Sequence, residues 1–103
     1  MEKNKMYIIS VYSENQVGLM SSISNIFTRR NINIESLTAF PSEFPGIHLL
    51  TFRCMTTKTG AAQVVKFLEK KVDVVKAFAY ESNDVLDSMH EQVADYLKER
   101  KNI

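Results

Sequence analysis

The sequence predicts an α+β fold of the ferredoxin-like type: elements in the order β-α-β-β-α-β, a four-stranded antiparallel sheet with two helices on one face, and a helix added at the C-terminus. Three observations lead there. The hydrophobic period switches between two and about 3.6 in that order along the chain. The break Pro41-Ser42-Glu43-Phe44-Pro45-Gly46 is too short for anything but an antiparallel hairpin between the strands it joins. And 103 residues at 45% hydrophobic content suit one packed domain, with neither the length of a large enzyme nor the composition of a disordered chain.

The first strand is Met6 to Ser13, rich in Tyr, Ile and Val. Tyr7, Ile9 and Val11 fall on one face and Met6, Ile8 and Tyr12 on the other, as expected of a central strand or one at a subunit contact. Leu19 to Arg30 changes period. Leu19, Met20, Ile23, Ile26 and Phe27 form one helical stripe, with serines, Asn25 and Thr28 opposite. Serine is a weak helix former, so packing must hold this helix, and Arg29 and Arg30 complement the dipole at its end. Ile32 to Phe40 alternates again, Ile32, Ile34, Ser36, Thr38 and Phe40 sharing a face. After the proline loop, Ile47 to Met55 turns Leu50, Phe52 and Cys54 to the core. A second helix runs from Ala61 to Lys71 with Ala61, Val64, Val65 and Leu68 buried, and Val72 to Tyr80 is the fourth strand. From Asp84 onward Leu86, Met89, Val93 and Leu97 recur at spacings of three and four. That narrow stripe predicts a third helix which packs on the open sheet face or on a second chain. Residues 1–82 are thus the domain proper and 83–103 its helical extension.

Composition removes several functions. Thirteen basic and twelve acidic side chains leave a formal charge of +1, so a dedicated nucleic-acid binder is disfavoured. No apolar run approaches the ~20 residues of a membrane span. The N-terminus lacks the features of a signal peptide, and the single cysteine, Cys54, permits no internal disulfide, so a cytoplasmic location is expected. His48 and His90 are isolated, no cluster has metal-site spacing, and no phosphate- or dinucleotide-binding glycine motif is present. Glu14 and Glu35 fall near strand ends, where two carboxylates can approach, but no nucleophile or base completes a catalytic set.

What chemistry there is concentrates at Glu14-Asn15-Gln16-Val17-Gly18, where the first strand turns into the first helix. A glycine turn feeding a helix start gathers unpaired backbone N–H groups at the positive end of the dipole, an arrangement suited to a carboxylate or phosphate. The same glycine also suits a tight turn that binds nothing.

Two stretches together carry a resemblance. The E-N-x-x-G turn at Glu14 to Gly18, the helix ending in Arg29-Arg30 and above all the string Asn33-Ile34-Glu35-Ser36-Leu37-Thr38 resemble the small, regulatory subunit of acetolactate synthase (acetohydroxyacid synthase), a family of amino-acid-sensing ACT domains. The fourth strand, Val72-Asp73-Val74-Val75, is similar to the family's as well. The resemblance implies a chain without its own catalysis, an ACT domain over 1–82, and no cofactor of its own. Thiamine diphosphate, FAD and magnesium would belong to the catalytic (large) subunit, which the small subunit activates and makes sensitive to valine or another branched-chain amino acid. It implies a homodimer with the effector between two chains: Asn15, Gly18, Leu19 and Met20 from one, Asn33 and Ile34 from the other. Leu19 stands where the family more often has alanine, which bears on pocket size. Family members usually carry a second, C-terminal domain, where this chain continues only into one expected helix. A free-standing ACT sensor that regulates another protein is the alternative, and a small ferredoxin-like enzyme a third reading.

Overall fold

The computed structural model describes residues 2–82. The expected third helix and the extension 83–103 lie outside the described residues. Within them the predicted order is found: β1 Lys5–Glu14, α1 Leu19–Arg29, β2 Ile34–Pro41, β3 Ile47–Thr56, α2 Lys58–Glu69 and β4 Val74–Glu81. The sheet order is β2-β3-β1-β4, all neighbours antiparallel. The two-sided apolar strand β1 is therefore central. It is hydrogen-bonded along its length to β3, from Lys5 opposite Thr56 to Glu14 opposite Ile47, and on its other edge to β4.

One core lies between the sheet and both helices. Tyr7, Ile9 and Val11 of β1 meet Leu50, Phe52 and Cys54 of β3, Leu19, Ile23 and Phe27 of α1, and Ala61, Val64 and Leu68 of α2. The rings of Phe27 and Phe52 stack with centroids 4.7 Å apart at its centre, both fully buried. At about 1.5–3 kcal/mol for each large apolar side chain removed from water, this face is what holds the serine-rich α1 to the sheet. Met20 departs from the predicted stripe: it is 46% exposed, while Leu19, Ile23 and Phe27 carry the burial at spacing four.

Three boundaries shift for local reasons. Helix α1 ends in a Schellman motif: Asn31 takes φ 61° and donates to the Thr28 carbonyl, and the Ile32 N–H reaches back to Phe27. Ile32 thereby packs on the core as the motif's apolar residue, and β2 starts at Ile34 instead. A bulge between Ile34 and Ser36 then resets the faces, so that Ile34, Leu37 and Ala39 pair with Cys54, Phe52 and Leu50 on the core side; the simple alternation from Ile32 to Phe40 does not hold. Helix α2 begins at Lys58, earlier than Ala61, because the Thr57 hydroxyl accepts from Gly60 N–H at 3.0 Å as an N-cap. Strand β4 begins at Val74, since Val72 and Asp73 make the turn that precedes it.

Arg30, expected to serve the helix dipole, has a more specific task. Its guanidinium lies 4.1 Å above the Phe67 ring and donates to Gln63 Oε1 at 2.7 Å, tying the end of α1 to α2.

Candidate functional site

The turn after β1 is held at its start. Glu14 N–H donates to the Asp73 carbonyl (2.9 Å) and Asn15 N–H to that of Gly46 (3.3 Å), which fixes the chain against the ends of β3 and β4. Gly18 then sits at the N-cap of α1 with φ 79° and ψ 5°, a left-handed conformation that glycine adopts at little cost. Having no side chain, it caps nothing. Leu19 N–H is taken by the Gln16 carbonyl at 3.1 Å and Ser22 N–H by Gly18 at 2.9 Å. Among the described residues, the N–H groups between them, Met20 and Ser21, have no acceptor. These are the donors that an N-cap side chain normally takes, as Thr57 does in α2. With no acidic residue in the first turn, the positive end of α1 is left for an anion from outside.

The donors open on a cleft of about 310 Å³ lined by Asn15, Gln16, Gly18, Leu19, Met20, Ser21, Ala39, His48 and Leu50. Four of the six residues read from the sequence are thus together: Asn15, Gly18, Leu19 and Met20. Their roles differ in part from expectation. Leu19 is only 6% exposed and belongs to the core, so its side chain forms floor, and its N–H is already engaged. The free donors are displaced by one residue, to Met20 and Ser21.

Asn33 and Ile34 are not in this cleft. Asn33 precedes β2 and Ile34 opens it, whereas Ala39, toward the other end of that strand, lines the cleft. At ~3.3 Å per residue, Ile34 and Phe40 are roughly 20 Å apart along the strand. Within one chain the two halves of the proposed site do not meet. Glu14 and Glu35 also fail to converge, since β3 lies between their strands and they sit at opposite ends of the sheet.

The strand residues Ala39, His48 and Leu50 were not found from the sequence. The signal was present in β3, where residues 48 to 54 in steps of two face the helices, but nothing local tells which end of that row lies beside the Gly18 turn.

A larger cleft, about 510 Å³, lies at the other end between Arg29, Arg30, Thr57, Gly60, Gln63 and Phe67. Several of its polar groups are engaged with one another: Arg30 with Gln63, and Gly60 N–H with Thr57. Cys54 is fully buried, and burial pushes its thiol up to about 11, as suits a core residue and not a nucleophile. Among the described residues no group of His, Cys, Asp and Glu comes together to hold a metal, and no helix is long and apolar enough to cross a membrane.

Comparison with known proteins gives the arrangement its context. The family model described as AHAS small subunit-like ACT domain matches residues 9–76. The acetolactate synthase small subunit of Haemophilus influenzae is 38% identical over 69 residues, covering 67% of this chain and 42% of that protein. The acetolactate synthase isozyme 3 small subunit of Escherichia coli is 36% identical over 69 residues, with the same two coverages. The crystal structure of the acetolactate synthase small subunit from Thermotoga maritima superposes with a TM-score of 0.67 at 32% identity, over 73% of this chain and 47% of that one. The chain spans about half the length of the curated relatives it matches. On its fold, its turn and the match over residues 9–76, the chain belongs to the family of AHAS small subunit-like ACT domains.

Proposed function

We propose that this chain is a regulatory, non-catalytic partner of an acetolactate synthase catalytic subunit, and that it senses a branched-chain amino acid, valine first, at the α1 start. The observation that carries the reading is the pair of vacant donors, Met20 and Ser21 N–H, over an uncharged Gly18 cap and a small apolar-floored cleft. They suit an α-carboxylate, Leu19, Ala39 and Leu50 suit an aliphatic side chain, and Asn15 offers an amide oxygen to the ammonium. Catalysis, with its thiamine diphosphate, FAD and magnesium, belongs to the partner subunit, and the complex works in the cytoplasm.

The effector lies between two copies. Strand β2 is an edge, bonded to β3 alone among the described residues, and an exposed edge invites pairing. If two β2 strands pair antiparallel about a two-fold axis at Leu37, Ile34 of one copy stands opposite Phe40 of the other, and Asn33 opposite Pro41. That brings the two missing residues to the mouth of the neighbouring cleft, beside Ala39 and His48. A dimer therefore supports a site that one chain leaves incomplete.

The test is reconstitution. The purified chain alone should make no acetolactate from pyruvate, should raise the turnover of an added acetolactate synthase catalytic subunit, and should pass on inhibition by valine. Turnover without that subunit, or no effect on it, would overturn the proposal. Titration with all twenty amino acids by calorimetry identifies the effector.

A further inference from the structure

His48 is the one titratable side chain in the wall of the cleft, and its hydrogen bonding is incomplete. It shares the face of β3 that carries Leu50, Phe52 and Cys54, so its ring enters the helix side of the sheet beside the start of α1. Its Nδ1 is enclosed, yet has no hydrogen-bond partner. The neighbours explain why. Opposite it on β1 is Ser13, whose hydroxyl is committed to the carbonyls of Asp73 and Glu14 at 3.0 and 3.2 Å. Opposite it on β2 is Pro41, which has no N–H to give. A buried polar atom left without a partner is a cost that a folded chain ordinarily avoids, and one that a ligand can relieve.

We propose that His48 is a ligand-binding residue of the amino-acid site: its neutral imidazole accepts a hydrogen bond from the ligand's ammonium, and binding weakens when the ring is protonated. The proposal rests on the amino-acid reading given above. With the carboxylate on the N–H groups of Met20 and Ser21, the ammonium on the same carbon is within a few ångströms and needs acceptors. Nδ1 is enclosed as the ring stands, and a half-turn about χ2, which exchanges Nδ1 with a carbon, is the movement by which it would be offered to the ligand. It then acts beside Asn15.

No other group on the wall competes for this role. Asn15, Gln16 and Ser21 are uncharged at all relevant pH, and α1 carries no charged residue before Arg29. On the adjoining segments the charged residues are Glu14 at the end of β1, Glu43 in the loop after β2, and Lys71 and Asp73 before β4, Lys71 donating from its ammonium to the Ser22 hydroxyl in the first turn of α1. None of them lines the cleft. On the wall itself a proton can therefore add a charge only at His48. A positive ring there repels the ammonium and has no lone pair left at Nδ1 to offer it.

Calorimetric titration of the full chain with L-valine, L-leucine and L-isoleucine at pH 8.0 and 5.5 tests this, with wild type, His48→Asn and His48→Ala. A protonated ring has no lone pair at Nδ1 to offer and repels the ammonium, so wild-type affinity should fall about tenfold from pH 8.0 to pH 5.5. His48→Asn keeps an acceptor near the Nδ1 position and does not titrate. It should bind within a few-fold of wild type at pH 8.0 and show no fall at pH 5.5. His48→Ala should bind more weakly at both. Thermal melts at each pH confirm that the compared species are folded, and equal wild-type affinities would be decisive without any variant. Equal wild-type affinity at the two pH values, or a tenfold fall retained in His48→Asn, would overturn the role of His48 while leaving the amino-acid site standing. No binding of any of the three to wild type at pH 8.0 would remove the amino-acid reading and this proposal with it.

Discussion

Substitution of Gly18 separates two physical effects at the centre of the proposed site. A β-carbon built there meets no atom within 4 Å, so the side chain itself has room. The cost is conformational: at φ 79° an L-residue is strained by about 1–2 kcal/mol. For a domain of this size each kcal/mol moves Tm by about 4–8 °C, so Gly18→Ala should melt about 4–16 °C below wild type. Gly18→Asp has the same backbone strain and adds a negative charge beside the bound carboxylate. At about 4–5 Å, like charges repel by about 1 kcal/mol in water and up to about 4 at an effective dielectric of 20. Gly18 is exposed, which favours the lower end, so Asp should bind valine about fivefold more weakly than Ala. High salt should narrow that gap. Calorimetry on both folded variants, with melting curves for each, reads the two effects apart. A Gly18→Ala protein that melts with wild type would refute the strain argument, and equal valine affinity in the Ala and Asp variants would remove the carboxylate from the neighbourhood of Gly18.

Other consequences concern the scaffold. Phe27→Ala removes one ring of the buried stack with Phe52 and should cost about 3–5 kcal/mol in chemical denaturation; a loss below 1 would mean that the stack is not the centre of the core. Thr57→Ala deletes the N-cap of α2 and should cost about 0.5–2 kcal/mol in the same assay, whereas Thr57→Ser should retain most of the stability. Cys54 should resist thiol reagents until the protein unfolds, and its labelling rate should follow global opening. Because its folded pKa is raised from 9.0 to about 11, its contribution to stability is complete below pH 9 and is lost as pH rises toward 11; Cys54→Ala should flatten that alkaline limb.

The parts of the fold that were legible in the sequence are those set by periodicity over several residues. The two-sided apolar run of β1 pointed to a central strand or a subunit contact, and it is central; the stripe Leu19, Met20, Ile23, Ile26 and Phe27 marked the buried side of α1 except at Met20. What escaped was decided by one residue at a time. Asn31 closes a Schellman motif that takes Ile32 out of β2, and one bulge then turns Ile34 to the side of Leu37 and Ala39. Gly60 reads as a turn but is the third residue of α2, where a β-carbon would stand 2.3 Å from Thr56 Oγ1. In the site, the Gly18 turn was visible because glycine and helix start are adjacent in the chain. Its floor was not, because Ala39, His48 and Leu50 reach it from two other strands, and convergence of strand ends leaves no local pattern.

The central claim is that an amino-acid carboxylate sits on the first turn of α1 and that a second chain completes the site. A titration of the ¹⁵N-labelled protein with L-valine, followed by amide chemical shifts, tests it directly. The largest shifts should fall on Gly18, Met20 and Ser21, with Asn33 and Ile34 moving at the same valine concentration although they lie far from the cleft in one chain, and dilution to a monomer should abolish both sets together. Shifts confined to the Arg29, Arg30 and Gly60 cleft, or a saturable response at Met20 and Ser21 in a monomer with none at Asn33 and Ile34, would contradict it.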